Sequence, residues 1–151
     1  MKKLQIFILA LLLLLSGCGK KEEGYSVDAV NQMAQSGAFS EELEELDGDI
    51  AFSLYRLADQ GLEREDLTGC AVLRSAGATC EEGAVLVFSN EEQSGKALTA
   101  LQDYIQGQIE ANEDYRPGEI PKLENAYAAQ QGNSVVLIVA NDLQAAKEAL
   151  N

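Results

Sequence analysis

The stretch "LTGCAVLRSAGATCEEGAVLVFSN", Leu67 to Asn90, decides the fold of this 151-residue chain. Two short runs rich in valine and leucine, Cys70 to Ser75 and Ala84 to Ser89, flank a loop that contains glycine. Runs of this length, bounded by glycine and polar residues, are typical of strands in an antiparallel hairpin. In the segment before them the apolar residues have helical spacing, and in this stretch that spacing is lost. We therefore predict two paired strands.

A second hairpin follows the same pattern nearer the C-terminus. Its strands are predicted at Ala126 to Gln130 and at Ser134 to Ala140, with a turn at Gly132-Asn133. The second of these strands, "SVVLIVA", is almost entirely apolar, which indicates a central strand covered on at least one face. Each hairpin precedes an apolar helical stripe, over Glu91 to Asn112 in the first case and up to Leu150 in the second.

Helices are also predicted before the first hairpin. Ser26 is placed to cap a helix from Val27 to Gln35, which Gly37 then ends. The segment from Ser40 to Leu57 has leucine and isoleucine at helical spacing, and Gly48 divides it into two predicted helical pieces.

Two further caps are predicted from side chains that can accept hydrogen bonds from backbone N–H groups. Either Ser89 with Glu92, or Asn90 with Gln93, forms a capping box for the long helix. Asn141 caps the last helix. Two hairpins placed edge to edge, with helices on one side, bury both apolar faces. We therefore predict a single α+β domain over residues 26–151, built on a four-stranded, mainly antiparallel sheet.

The first residues have the features of a secretory signal peptide. Lys2 and Lys3 precede an unbroken apolar run from Ile6 to Leu15, which is about half the length needed to span a bilayer. Leu15-Ser16-Gly17-Cys18 looks like a bacterial lipobox, in which the cysteine sulfur receives a diacylglyceryl group and cleavage between Gly17 and Cys18 makes the cysteine the new N-terminus. We predict a signal peptide over residues 1–17 and a lipidated cysteine with a flexible tether over residues 18–25.

Two other interpretations of this N-terminus stay open, an ordinary cleaved signal with an incidental cysteine and an uncleaved anchor. The short apolar run and the position of Cys18 at its edge favour the lipoprotein. The diacylglyceryl group supplies two acyl chains, which suffice for stable attachment to a membrane where one does not.

Composition excludes several functions. The chain has 11 basic and 25 acidic residues, and loss of Lys2 and Lys3 with the signal leaves nine basic residues, a net charge of −16. Binding to nucleic acid depends on basic side chains and is not expected. Histidine is absent, which removes the commonest general base and zinc ligand. We expect no metal, no cofactor and no catalytic residues, and we expect Cys70 and Cys80 to be buried thiols.

One segment, "YRPGEIPKLEN", has the composition of a binding loop. Its two prolines stiffen it, while Tyr115, Arg116 and Lys122 place an aromatic ring and two cations in an acidic protein. We regard these three residues as candidate contacts for a ligand or partner. The alternative is that Tyr115 and Ile120 only pack the connector against the sheet.

Several motifs are similar to a known family. They are Tyr115-x-Pro117-x-Glu119-x-x-Lys122-Leu123-x-Asn125-Ala126, then Gly132-Asn133 before an apolar strand, Asp142 at the last helix, and the acidic turn Glu81-Glu82. With these, the mature chain resembles bacterial lipoproteins that carry "domain of unknown function 4358", found mostly in clostridia-like Gram-positive bacteria. Gly83 departs from the pattern, which has a larger apolar residue there. The resemblance implies a lipoprotein with an α+β fold and gives no activity.

The sequence thus predicts a lipoprotein on the extracytoplasmic face of a bacterial membrane, attached through Cys18. Its domain is expected to be a non-catalytic module that binds an envelope protein or a small ligand. Two alternatives remain: an envelope hydrolase that uses carboxylates, and a structural or inhibitory subunit of an envelope complex. An exposed apolar patch or sheet edge would favour the last of these.

Overall fold

The computed structural model describes residues 23–151, which form an α+β fold with one antiparallel five-stranded sheet and helices on both of its faces. The strands are β1 (Glu44–Leu46), β2 (Leu67–Arg74), β3 (Glu82–Phe88), β4 (Tyr127–Gln131) and β5 (Ser134–Val139). The α-helices are α1 (Asp28–Gln35), α2 (Gly48–Leu54), α3 (Glu91–Asn112), α4 (Ile120–Glu124) and α5 (Leu143–Glu148). Short 3₁₀ turns lie at Leu57–Gln60, Arg64–Asp66 and Pro117–Glu119.

Both predicted hairpins are confirmed, and they join side by side. The strand order is β1-β2-β3-β5-β4, with β3 and β5 antiparallel at the centre. Val85 opposes Val136 across that junction. Every residue of β5 is buried, as its apolar sequence predicted for a central strand.

The predicted strand count and the first helical piece after Ser40 are wrong. Residues Glu44–Leu46 form a fifth strand, β1, which pairs with the edge of β2 and sets Leu46 opposite Val72. In that position the backbone groups of β2 gain partners, which an isolated helix there would not supply. The second predicted piece does form a helix, α2.

Helices cover both faces of the sheet rather than one. The first face packs against α2, α3 and α4 around buried residues such as Tyr55 and Leu101. The second packs against α1 and α5 around Met33 and Ala146. Apart from Glu82 and Ser134 at the strand starts, the side chains that β3 and β5 direct to either face are apolar, so each face of the sheet needs a covering layer.

The helix caps agree with the sequence in one case of three. The Asn90 side chain accepts a hydrogen bond from the Gln93 backbone N–H at 3.0 Å and caps α3. The last helix is capped by Asp142 rather than Asn141, because the Asp142 carboxylate accepts from the Ala145 N–H at 3.0 Å. Ser26 does not cap α1. Its hydroxyl accepts only from the Asp28 N–H, one residue inside the helix.

Within residues 23–151 no helix is long and apolar enough to cross a membrane. Cys70 and Cys80 are free thiols and are half-buried rather than fully buried. Burial raises the pKa of both thiols above its usual range. The predicted signal peptide, with Gly17 and Cys18, lies outside the described residues.

Candidate functional site

The segment Tyr115–Asn125, which we call the proline segment, lies at the end of the sheet that carries the β2–β3 loop. Pro117 is the first residue of a 3₁₀ turn and Pro121 the second residue of α4, both within the first turn, where the backbone N–H has no partner in the helix. The proline segment is therefore a rigid connector, and its charged side chains contact the loop between β2 and β3.

Arg116 binds that loop directly. Its Nη1 donates to the backbone carbonyls of Gly77, at 2.6 Å, and Thr79, at 3.1 Å. Its Nε donates to the Asn112 side-chain oxygen at 2.9 Å, which joins the end of α3 to the same contact. The guanidinium therefore stabilises the loop, and its hydrogen-bonding capacity is directed inward.

Lys122 lies between two carboxylates. Its Nζ is 3.1 Å from Oε1 of Glu81 and 3.1 Å from Oε1 of Glu119. Burial alone lowers the pKa of Lys122, but the hydrogen bonds to Glu119 and Glu81 more than offset this effect and the pKa is raised. Glu81 is fully buried and also accepts from the Ser40 backbone N–H at 2.8 Å. Lys122 therefore neutralises a buried carboxylate.

Glu82 is a second buried carboxylate, on the first face of the sheet. It accepts hydrogen bonds from the Tyr55 hydroxyl and, at 2.7 Å, from the Tyr104 hydroxyl. The Nε of Arg74 is 3.4 Å from the same carboxylate and 3.1 Å from the Tyr104 oxygen, to which it donates. Burial raises the pKa of Glu82, and the hydrogen bonds from Tyr55 and Tyr104 offset only part of that rise. Burial and the charge of Glu82 raise the pKa of both tyrosines.

A groove of about 340 Å³ lies beside this tyrosine pair, between α3 and the 3₁₀ turn Leu57–Gln60. The two rings meet edge to face with centroids 5.0 Å apart. Arg56 lies at the rim in the left-handed backbone region, with φ 52°, and pairs with Asp59 at 2.6 Å. The tyrosine hydroxyls are directed away to Glu82, so the groove has an aromatic wall and a polar rim.

A third carboxylate holds the other side of the β2–β3 loop. The Glu41 side chain accepts from the hydroxyls of Ser75, at 2.5 Å, and Thr79, at 2.7 Å. These hydrogen bonds lower the pKa of Glu41. Glu41 and Arg116 therefore contact the same loop, one as an acceptor and the other as a donor.

The three candidate contact residues predicted from the sequence have different environments in the structure. Arg116 and Lys122 contact the domain itself, whereas Tyr115 is 79% exposed. The Arg116 guanidinium lies over the Tyr115 ring, with its Cζ 5.6 Å from the ring centroid. Among residues 23–151 no group of three or more acidic, cysteine or histidine side chains is arranged to hold a metal ion.

Sequence reasoning did not identify the two buried carboxylates. Glu81 and Glu82 were noted only as an acidic turn, although both are buried and glutamate is rarely fully buried. The available signal was their position directly before an apolar strand, where at least one of two consecutive side chains must face a covered layer. Apart from Arg74, which lies opposite Glu82 in the β2–β3 hairpin, the side chains that bind them come from distant parts of the chain.

Comparisons of the chain with protein-family models, with curated proteins and with solved structures find no match. The chemistry of this end of the molecule is therefore inferred from its own geometry. That geometry combines two internally neutralised carboxylates, a loop bound from two sides, and one exposed tyrosine on a rigid segment.

Proposed function

We propose that this protein is a lipoprotein of the bacterial cell envelope, anchored through a diacylglyceryl group on Cys18. The proposal is supported by the positive start, the short apolar run and the lipobox-like Leu15-Ser16-Gly17-Cys18. The resemblance to Gram-positive lipoproteins agrees with it, and so does the strongly acidic character of the remaining chain.

We further propose that the domain binds a protein or ligand and does not catalyse a reaction. The observation that carries this proposal is the presentation of Tyr115. An exposed aromatic side chain stands on a segment whose neighbouring charges, Arg116 and Lys122, are both held by internal contacts. A rigid aromatic anchor loses little conformational entropy when a partner covers it, which is typical of binding hot spots.

The buried carboxylates support the same interpretation. Glu82 is 2% exposed and Glu81 fully buried, and each already accepts hydrogen bonds from donors inside the domain. A hydrolase that uses carboxylates needs two acids facing each other across an accessible cleft. Glu81 and Glu82 contact different residues, and the tyrosine pair separates Glu82 from the groove.

The anchor is tested by intact-mass measurement on protein extracted from its native membrane. We expect the mass of residues 18–151 plus a diacylglyceryl group, with or without an additional acyl chain. Cys18→Ala should lack the lipid, whereas the matched variants Cys70→Ala and Cys80→Ala should keep it. An unlipidated mass in the native protein would contradict the anchor.

The binding surface is tested by placing a photo-reactive amino acid at position 115 in cells. Ile50, the other large exposed apolar side chain among the described residues, supplies the control position. We expect a defined cross-linked product from position 115 and none from position 50. Equal yields at the two positions, or none at 115, would remove Tyr115 from the proposed surface.

A further inference from the structure

The two edge strands of the sheet differ in length and charge, and these properties affect whether an edge can pair with another chain. One edge is β1, three residues long with Glu44 and Glu45, and short charged edges resist pairing with other chains. The other edge is β4, "YAAQQ", five residues long without charge, proline or a bulge. In a chain with 36 charged side chains, this uncharged edge lacks the usual protection.

The hairpin turn fixes which backbone groups of β4 point outward. Gln131 and Ser134 flank the two-residue turn, so they form the hydrogen-bonded pair that closes the hairpin. The Phe88 N–H donates to the Asn133 carbonyl at 2.8 Å, which confirms that the alternate positions of this hairpin bond to β3. Bonding to β5 therefore uses every second residue of β4, and Ala128 and Gln130 direct their N–H and C=O groups away from the sheet.

These outward groups are accessible. Within residues 23–151 no backbone or side-chain group hydrogen-bonds to the main chain of Ala128 or Gln130 on the outer side. Ala128 packs against the first face and Ala129 against the second, yet both stay partly exposed. Since layers cover both faces, this exposure comes from the edge.

We propose that a second copy of this chain adds its β4 antiparallel to β4 and extends the sheet to ten strands. With a two-fold axis at Ala129, Ala128 of each copy lies opposite Gln130 of the other. Each such pair exchanges two N–H···O=C bonds, so the junction contains four. The contact is isologous and closes at a dimer.

A second copy fits this edge for two reasons. The register centred on Ala129 pairs the whole strand with itself. A register shifted toward the start of β4 would need the Ala126 N–H, which already donates to the Leu123 carbonyl at 3.1 Å. A register shifted the other way would need residues of the turn. An uncharged strand is also the place where two copies of a net-negative chain can approach with the least repulsion.

The inference does not depend on the lipid anchor, and disulfide cross-linking of the full-length chain in its native membranes tests it. The background is Cys70→Ala with Cys80→Ala, and the reporter is Ala129→Cys. The background without a reporter shows any product that Cys18 forms by itself, which it can do only if its thiol is free of lipid. Directly opposed residues in a non-hydrogen-bonded antiparallel pair have Cα atoms about 4.5 Å apart, within the range that a disulfide bridges. With copper phenanthroline as oxidant we expect a product of twice the chain mass, and none from the control Glu45→Cys on the opposite edge.

A second variant separates pairing from folding. Ala128→Pro removes an outward N–H and leaves the bonds to β5 intact, which is where an edge strand tolerates proline. Added to the Ala129→Cys chain, it should lower the cross-linked yield about tenfold or more through loss of two of the four bonds. Light scattering on the unmodified full chain in mild detergent should show a dimer. A monomer at all concentrations, equal yields from positions 129 and 45, or undiminished yield with proline would each overturn the proposal.

Discussion

Glu82 illustrates at the residue scale how a buried charge is kept in this domain. The carboxylate lies at the start of an apolar strand and would be costly there without donors. Tyr55 and Tyr104 supply hydroxyl donors and Arg74 supplies the opposite charge. Tyr55 and Tyr104 lie far from Glu82 in the sequence and Arg74 lies opposite it across the β2–β3 hairpin, so the cluster links the end of α2, α3 and β2 to the strand.

Removal of one donor tests this cluster. Tyr55→Phe should lower the free energy of unfolding by about 1–3 kcal/mol, because it removes a hydrogen bond to a buried charged group. Tyr115→Phe makes the same chemical change at an exposed position and should stay within about 0.5 kcal/mol of the native protein. Urea unfolding measures both, and equal values for the two variants would contradict the role of the Tyr55 hydroxyl.

The Glu41 contacts predict a pH dependence. Because its pKa in the folded chain lies below the ordinary value of 4.5, Glu41 adds stability above that pH and loses it as the pH falls through the folded value. The difference in unfolding free energy between the native protein and Glu41→Gln should therefore shrink from about pH 4.5 downward. Thermal unfolding at several pH values measures it. A difference that stays constant down to pH 3 would exclude this linkage.

At the scale of elements, α3 has the clearest local determinants. Its bounds, Glu91–Asn112, are those predicted from the apolar stripe and the capping residues. Of the two capping pairs considered, Asn90 with Gln93 is the one formed, although the Gln93 side chain accepts from the Ser89 N–H rather than from that of Asn90.

Substitution at the cap tests how much α3 depends on it. Asn90→Ala leaves the Gln93 N–H without its acceptor and should cost about 1 kcal/mol of unfolding free energy. Asn90→Asp keeps an oxygen in the same place and should retain nearly all of the native stability. Chemical denaturation distinguishes the two substitutions, and an equal loss in both would mean that the side-chain oxygen is not what matters.

The elements also show what sequence patterns could and could not predict. Both hairpins and α3 followed from residues close together in the chain. Strand β1 was missed because Leu43, Leu46 and Ile50 have helical spacing, and only the open edge of β2 gives β1 a partner. Likewise Asp142 caps α5 because the Asp142 N–H is bound to the Ala38 carbonyl, a contact from across the fold. The roles of Arg116 and Lys122 were not visible for the same reason.

At the scale of the whole molecule, net charge is the dominant feature. A charge of −14 distributed over 151 residues opposes the compact state through self-repulsion, and salt screens this repulsion. Raising ionic strength should therefore stabilise the chain, by roughly 1 kcal/mol between 0.01 and 0.5 M NaCl. Thermal unfolding of the Ala128→Pro variant measures this effect without a contribution from pairing. Destabilisation by salt would show that the ion pairs outweigh the repulsion.

The first described residues join the fold on the second face of the sheet. The Tyr25 N–H donates to the Ser134 hydroxyl at 2.6 Å, and both residues lie on the second face of the sheet, with α1 and α5. From Gly19 to Glu23 the chain can reach about 17 Å at most. If Cys18 carries the proposed diacylglyceryl group, this short tether favours an orientation in which the second face is nearer the lipid surface and α3 and the groove face outward.

This orientation is compatible with two copies on one bilayer. The axis that relates two antiparallel edge strands runs perpendicular to the sheet, so it leaves both second faces on the same side. Both tethers can then reach the same leaflet, with the ten-stranded sheet parallel to the membrane. The side of the dimer that faces away from the membrane would present two grooves and two Tyr115 side chains. A bivalent partner would then gain avidity without any additional type of contact.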